Sequence, residues 1–146
     1  MPTDDRTDFA DCIQAATAAT FYMDANDADA LVRFFTEDLE FVRPATYPEV
    51  AIRGRADLHA TIAGRDPNMM SRHVVSNFVP RRIAEDEIEV RSYFTHFRGQ
   101  RPDGSEAPIP IEDALQSMGE YRDTLRRVGG RWLIARRVAR FIFNAL

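Results

Sequence analysis

Apolar residues in the first part of the chain recur at the spacing of an α-helix, which predicts three helical segments. The first spans 7–23 and ends where Asp24–Asp27 brings in residues that favour caps and turns. The second spans 28–36 with Asp27 as its N-cap, and a short third helix ends at Gly64. Their apolar positions are Phe9, Ile13, Ala16 and Met23, then Leu31, Phe34 and Phe35, then Leu58 and Ile62.

The remaining segments alternate apolar and polar residues, which is the pattern of half-buried β-strands. Pro44 stops the first strand, and Gly129 and Gly130 form a tight hairpin because glycine adopts the positive φ that such a turn needs. Helices followed by an antiparallel meander predict an α+β fold, with helices on one face of a sheet, in one domain of 146 residues. The predicted strands cover 39–43, 50–53, 71–83, 87–97, 114–128 and 131–143.

For the predicted strand over 87–97, the sequence does not show which of its two faces points to the core. Alternation puts one set of side chains on one face and the other set on the opposite face. Both sets contain apolar residues, so the pattern leaves open which face points to the core. The sets are Val90, Ser92, Phe94 and His96 against Arg91, Tyr93, Thr95 and Phe97.

Composition and charge narrow the function classes. Hydrophobic residues make up 45% of the chain and charged residues 29%, which argues against disorder, and a net charge of −4 gives no basic field for nucleic acid. The single cysteine, Cys12, excludes an intrachain disulfide, and no ligand spacing predicts a metal site. No apolar run reaches the roughly 20 residues of a membrane span, and the acidic N-terminus is unlike a signal peptide, so we expect a cytoplasmic protein.

Four motifs, in order along the chain, resemble the NTF2-like superfamily in its SnoaL-like branch. The third of them is an Arg-His strand, in which Arg72 and His73 precede two hydrophobic residues and the motif ends at Asn77. The motifs are Tyr22–Leu31 with Phe34–Phe41, Gly54–Leu58, Ser71–Asn77, and Gly119–Leu125 with Gly130–Arg137.

That resemblance implies a cone-shaped α+β barrel, in which a curved antiparallel sheet wraps around the N-terminal helices and encloses an apolar cavity. It further implies a lyase or isomerase of the scytalone dehydratase type, which acts without a cofactor on a small hydrophobic cyclic or polyketide-like molecule. The segments 34–44 and 71–77 also resemble the β-subunit of aromatic-ring-hydroxylating dioxygenases. A non-catalytic subunit or small-molecule-binding protein is therefore the alternative.

The resemblance points to Asp24 and His73 as a catalytic pair. In dehydratases of this branch an aspartate at the end of the first helix faces the histidine of the Arg-His strand. A carboxylate that accepts a hydrogen bond from one imidazole nitrogen fixes the tautomer and stabilises the imidazolium, so the other nitrogen can remove a proton. A purely structural hydrogen bond is the alternative interpretation of this pair. Asp27 is the rival carboxylate, with helix capping as its other interpretation.

A second histidine, His96, is the candidate acid or carbonyl-polarising group, because scytalone dehydratase has a second pocket histidine in a comparable place. A solvent-facing histidine at the strand end is the alternative. The expected substrate-binding residues are aromatic, soft or cationic, and they are Tyr22, Phe41, Tyr47, Met70, Tyr93, Tyr121 and Arg140. Apolar residues on the outer sheet face predict a homodimer or homotrimer.

Overall fold

Helix α1, Asp5–Asp24, begins at a side-chain cap and packs through small residues. In the computed structural model, which describes residues 4–44 and 51–145, the Asp4 carboxylate accepts a hydrogen bond from the Arg6 N–H at 3.0 Å. The buried positions of the helix include residues whose short side chains let its backbone approach the sheet closely. They are Cys12, Ala15, Ala16 and Ala19.

The second helix is shorter than predicted. Helix α2 spans Ala28–Val32, and strand β1 already begins at Phe35, so the predicted helix over 28–36 is wrong in its second half. Pairing with a distant strand decides this boundary, because the Ile134 N–H donates to the Phe34 carbonyl at 2.8 Å and Phe35 is buried beside it. Helix α3, Arg55–Ala63, ends at Gly64 as predicted.

Six strands form one curved, unclosed sheet. Strands β3 to β6 make the predicted antiparallel meander, whereas β1 pairs in parallel with β6, so the sheet is mixed rather than wholly antiparallel. The strand order is β2-β1-β6-β5-β4-β3, which leaves the long strand β3 at one end. The strands are β1 Phe35–Val42, β2 Ala51–Arg53, β3 Met69–Ala84, β4 Glu87–Gln100, β5 Leu115–Val128 and β6 Arg131–Asn144.

A β-bulge in β6 changes which side chains face the core. Leu125 pairs with Ile134 and Thr124 pairs with Arg136, so Ala135 is an extra residue on β6. Beyond it the alternation is shifted by one position, with Arg137 buried and Arg136 exposed.

A buried ion pair ties the sheet to helix α1. Arg137 donates from Nε and Nη2 to the two carboxylate oxygens of Asp123, at 2.7 and 2.9 Å, and both side chains are 1% exposed or less. Its remaining donors reach the Thr20 hydroxyl and the Ala16 carbonyl, each at 3.0 Å. One guanidinium thereby holds strands β5 and β6 and helix α1 together, and it also lies 4.3 Å from the Tyr121 ring centre.

None of the helices in the described part of the chain is long and apolar enough to cross a membrane.

Candidate active site

Asp24, the last residue of α1, engages His73 on β3 at two points. Its Oδ1 lies 2.7 Å from His73 Nδ1, and its Oδ2 accepts the backbone N–H of His73 at 2.6 Å. The Asp24 side chain is 6% exposed and that of His73 11%. Because a carboxylate only accepts hydrogen bonds, the neutral form of this imidazole carries its proton on Nδ1 and has its lone pair on Nε2.

The ring of His73 borders a cavity of about 350 Å³, while Asp24 stands behind the ring and outside the lining. Within residues 4–44 and 51–145, Nε2 of His73 has no hydrogen-bond partner. The cavity wall is part apolar and part polar, and the described residues that form its apolar part are Met23, Phe41, Pro44, Met69, Phe94, Ala139 and Phe141. The arrangement presents an unprotonated imidazole nitrogen beside a space of substrate size.

His96 on β4 stacks against His73. The ring centres are 4.1 Å apart and the planes differ by 7°, because the two residues are directly paired across β3 and β4. Nε2 of His96 lies 2.8 Å from the Ser71 hydroxyl oxygen, and Nδ1 lies 3.5 Å from that of Ser117. The side chain faces the cavity and is buried, so the solvent-facing interpretation of His96 is wrong.

Burial first, and then the neighbouring His73, lowers the pKa of His96 to about 4. Near neutral pH His96 is therefore an uncharged imidazole that adds no charge repulsion when the stacked His73 takes up a proton. An uncharged imidazole can still donate a hydrogen bond to a carbonyl, but it is not a cationic acid.

Aromatic residues from β4 and β5 form the cavity wall beside the histidines. Phe94 lies edge-on to His73, with ring centres 5.5 Å apart, and 4.5 Å from the Tyr121 ring centre. Gly119 makes room for this packing, because a Cβ there would lie 2.5 Å from Phe94 Cζ and 2.3 Å from the Arg140 carbonyl oxygen. A glycine inside a strand is the sequence signal for such an approach, and our sequence reasoning did not use it.

Several residues predicted to contact substrate lie elsewhere. Tyr93 and Arg140 are on the opposite sheet face, since the inward row of β4 is that of His96 and the bulge at Ala135 turns Arg140 outward, where it pairs with Glu120 at 3.0 Å. The Tyr93 assignment was wrong because the sequence left the inward face of β4 open. The Arg140 assignment was wrong because a one-residue shift reverses the face of every following side chain.

The other predicted positions divide between the cavity and its surroundings. Phe41 and Tyr121 line the cavity, whereas Tyr22 stacks on Phe34 outside it, with ring centres 5.7 Å apart. Met69 lines the cavity where Met70 was expected. Tyr47 lies outside the described residues.

Asp27 is the N-cap of α2. Its side chain accepts a hydrogen bond from the Ala30 N–H at 3.0 Å, so this carboxylate caps the helix.

The described residues hold no cluster of three or more His, Cys, Asp or Glu side chains that could bind a metal ion. The polar cavity-lining residues that sequence reasoning missed are Asn26, Arg43, Thr61, Arg65, Asp66, Ser71 and Arg98. Alternation signals three of them, since Ser71, Arg43 and Arg98 lie two residues from the predicted site residues His73, Phe41 and His96.

A family model described as a SnoaL-like domain matches residues 4–138. A search of the curated proteins finds none that matches the chain.

Solved structures show the same fold at low sequence identity. A protein assigned as a scytalone dehydratase, from Novosphingobium aromaticivorans, is 22% identical with a TM-score of 0.76, over 94% of this chain and 85% of that one. A protein assigned as an aromatic ring hydroxylase, from the same organism, is 20% identical with a TM-score of 0.77, over 97% and 93%. A type 2 hexachlorocyclohexane dehydrochlorinase is 12% identical with a TM-score of 0.76, over 95% and 88%.

Proposed function

The chain belongs to the SnoaL-like domain family, and on that premise we propose that it is a lyase or isomerase that removes a proton from carbon. His73 is the general base and Asp24 the residue that orients it. The substrate is a small, mainly hydrophobic, cyclic or polyketide-like molecule, and no cofactor takes part. One observation carries the proposal, namely that His73 stands between a buried carboxylate and an open cavity.

The chemistry follows from the two nitrogens of His73. Nε2 takes the proton of a C–H bond next to a carbonyl or a leaving group, and the bonding electrons form a new C=C bond. In a dehydration the leaving oxygen departs with its electron pair, and in an isomerisation the proton returns at another carbon. Asp24 stabilises the imidazolium through Nδ1, and a base positioned in this way accelerates such steps by about 10²–10⁴-fold.

Two groups in the same cavity could polarise a substrate carbonyl. His96 can do so as a neutral N–H donor, and Tyr121 is the tyrosine among the described lining residues. The stack between His73 and His96 also limits rotation of the His73 ring, which keeps Nε2 directed at the cavity.

Relatives of the same fold support this reaction class. The proteins named as a scytalone dehydratase and a hexachlorocyclohexane dehydrochlorinase share the architecture, which is why we propose elimination chemistry. At 22% and 12% identity they support the fold, and the site geometry of this chain supports the chemistry.

Hydrogen–deuterium exchange at an activated carbon tests the proposal without knowledge of the natural substrate. We expect the protein to accelerate deuterium exchange at the acidic C–H bonds of 2-tetralone in D₂O above the rate in buffer alone. NMR measures this exchange. His73→Gln should abolish the acceleration. His59→Gln is the matched control, since His59 lies on α3, 2.7 Å from Asp29 and outside the cavity lining, and it should leave the rate unchanged. Equal rates in folded wild type and His73→Gln contradict the proposal.

A non-catalytic binding or β-subunit-type protein of an aromatic-ring-hydroxylating dioxygenase is the second candidate, because the ring hydroxylase relative has the same fold. A subunit of that kind does not need an open cavity, and the cavity of about 350 Å³ favours the first candidate. Absence of exchange together with co-purification of an iron–sulfur partner would favour the second.

We also propose that the chain forms a homodimer or homotrimer. Val74, Val79 and Tyr93 are 44–61% exposed on β3 and β4, and a symmetric contact would cover this surface on each copy at once. Sedimentation equilibrium tests the proposal, which a monomer at micromolar concentration contradicts.

A further inference from the structure

Three arginines from different parts of the chain are among the described residues at the rim of the cavity. Arg43 follows strand β1, Arg65 follows helix α3, and Arg98 lies in β4. Asp66 is the only carboxylate among the described lining residues. The described part of the lining therefore carries three guanidinium groups and one carboxylate.

Strand alternation explains why two of these arginines point to the cavity. Arg98 continues the inward row of Phe94 and His96, and Arg43 continues that of Phe41. Arg98 makes no hydrogen bond or ion pair with any residue in the described ranges, and it is exposed at the rim.

Arg65 is held at the cavity wall by the end of α1. Its Nη1 donates to the carbonyl oxygen of Met23 at 3.2 Å, one residue before Asp24. Asp66, by contrast, is occupied by neutral donors, because its carboxylate oxygens accept the Asn68 N–H at 2.9 Å and the Gln100 amide at 3.0 Å. Arg98 and Arg65 both contribute to the lowered pKa of His96, and of the rim arginines it is Arg98 whose guanidinium has no partner in the described ranges.

We propose that the substrates of this cavity carry a carboxylate, which binds at the rim against Arg98 while the apolar skeleton lies against Phe94 and Phe141. The guanidinium group matches a planar carboxylate with two parallel hydrogen bonds. Anchoring one end of the molecule at the rim sets the depth to which its carbon skeleton reaches, and so presents a chosen C–H bond to Nε2 of His73. This inference rests on the proposed function in taking the cavity as the substrate site.

Binding of two ligands that differ in charge tests the inference. Isothermal titration at pH 8 compares 2-naphthoate with 2-naphthalenemethanol, which has the same rings and no charge. We expect wild type to bind 2-naphthoate about tenfold more tightly or better, as charge-assisted hydrogen bonds provide. Arg98→Met should remove most of this preference and leave the affinity for the alcohol unchanged. Arg122→Met, on the outer sheet face, is the matched control and should change neither affinity.

The outcome is separable from that of the proposed function, because binding is measured without turnover. His73→Gln should retain the preference for 2-naphthoate even though it no longer accelerates deuterium exchange of 2-tetralone. Equal affinity for the two ligands in wild type, or equal loss of both in Arg98→Met, overturns the carboxylate inference and leaves the 2-tetralone result standing. If wild type prefers 2-naphthoate but does not accelerate exchange of 2-tetralone, the result supports the carboxylate site and contradicts the general base.

Discussion

The carboxylate of Asp24 accepts two hydrogen bonds from a single residue, His73, one from the imidazole Nδ1 and one from the backbone N–H. The first bond sets the tautomer of the neutral ring. The second fixes the carboxylate against the strand, so that the ring cannot shift without breaking both contacts. A side chain of the same shape without the charge separates these two effects.

Asp24→Asn should lower the rate of 2-tetralone exchange by about 10²–10⁴-fold, because the amide no longer stabilises an imidazolium and can present its NH₂ group to Nδ1. The NMR exchange rate is the measurement. Asp27→Asn is the matched control, since asparagine caps a helix as well as aspartate does, and it should leave the rate unchanged. A similar loss in both variants would show that the effect comes from the fold rather than from the pair.

The free energy of unfolding should fall as the pH is lowered from 6.5 towards 4. The pKa of His96 is about 4 in the folded protein and 6.5 without its surroundings, so between these values the unfolded chain binds the additional proton. Above pH 6.5 the titration of His96 does not reduce the free energy of unfolding. Acidification below pH 4 reduces this free energy by at most about 3 kcal/mol. Urea unfolding at several pH values measures the slope.

Two variants isolate the contribution of His96 to that slope. His96→Gln should flatten the dependence between pH 6.5 and 4, because the variant has no imidazole at this position. His59→Gln removes an exposed histidine and should keep the wild-type slope. Parallel curves for wild type and His96→Gln would show that other groups produce the dependence.

Removing one partner of the buried pair between Arg137 and Asp123 should cost about 3–5 kcal/mol, because a charge then remains buried without compensation. Urea unfolding of Asp123→Asn and Arg137→Met tests this. The double variant Arg137→Met/Asp123→Leu should be more stable than the sum of the single losses predicts, since it buries no charge. Additive losses would contradict a direct coupling.

Gly119→Ala should destabilise the protein by about 1–3 kcal/mol, because its Cβ would clash with Phe94 and with the Arg140 carbonyl. Phe94 can yield only by moving within the cavity wall, so 2-naphthoate should also bind more weakly. Gln116→Ala, exposed on the same strand, is the control and should change stability by less than about 0.5 kcal/mol. Unchanged stability of Gly119→Ala would mean that the strands separate there at little cost.

Local signals in the sequence account for much of the architecture. Asp27 caps α2 and Gly64 ends α3 as predicted, because caps and glycines act on their own few residues. The antiparallel meander also follows from alternation and turns. Asp24 and His73 are 49 positions apart, and only the family resemblance linked them; the structure brings them together, and their role stays a prediction.

What the sequence could not supply depends on distant partners. The end of α2 is decided by the pairing of Phe35 with Ile134, about a hundred residues further along the chain. The outward direction of Arg140 depends on the extra residue at Ala135, which no local pattern marks. The inward face of β4 is the one that packs against the helices, and both faces looked equally apolar beforehand.

Strand β3 ends the strand order, and an end strand offers unpaired N–H groups to any other chain that can add to it. At His73 that N–H is already taken by Asp24. A chain that added to the sheet at this position would have to displace the carboxylate, and the imidazole would lose its orienting partner in the same event. The contact between Asp24 and His73 therefore also protects this position of the sheet edge against pairing with another chain.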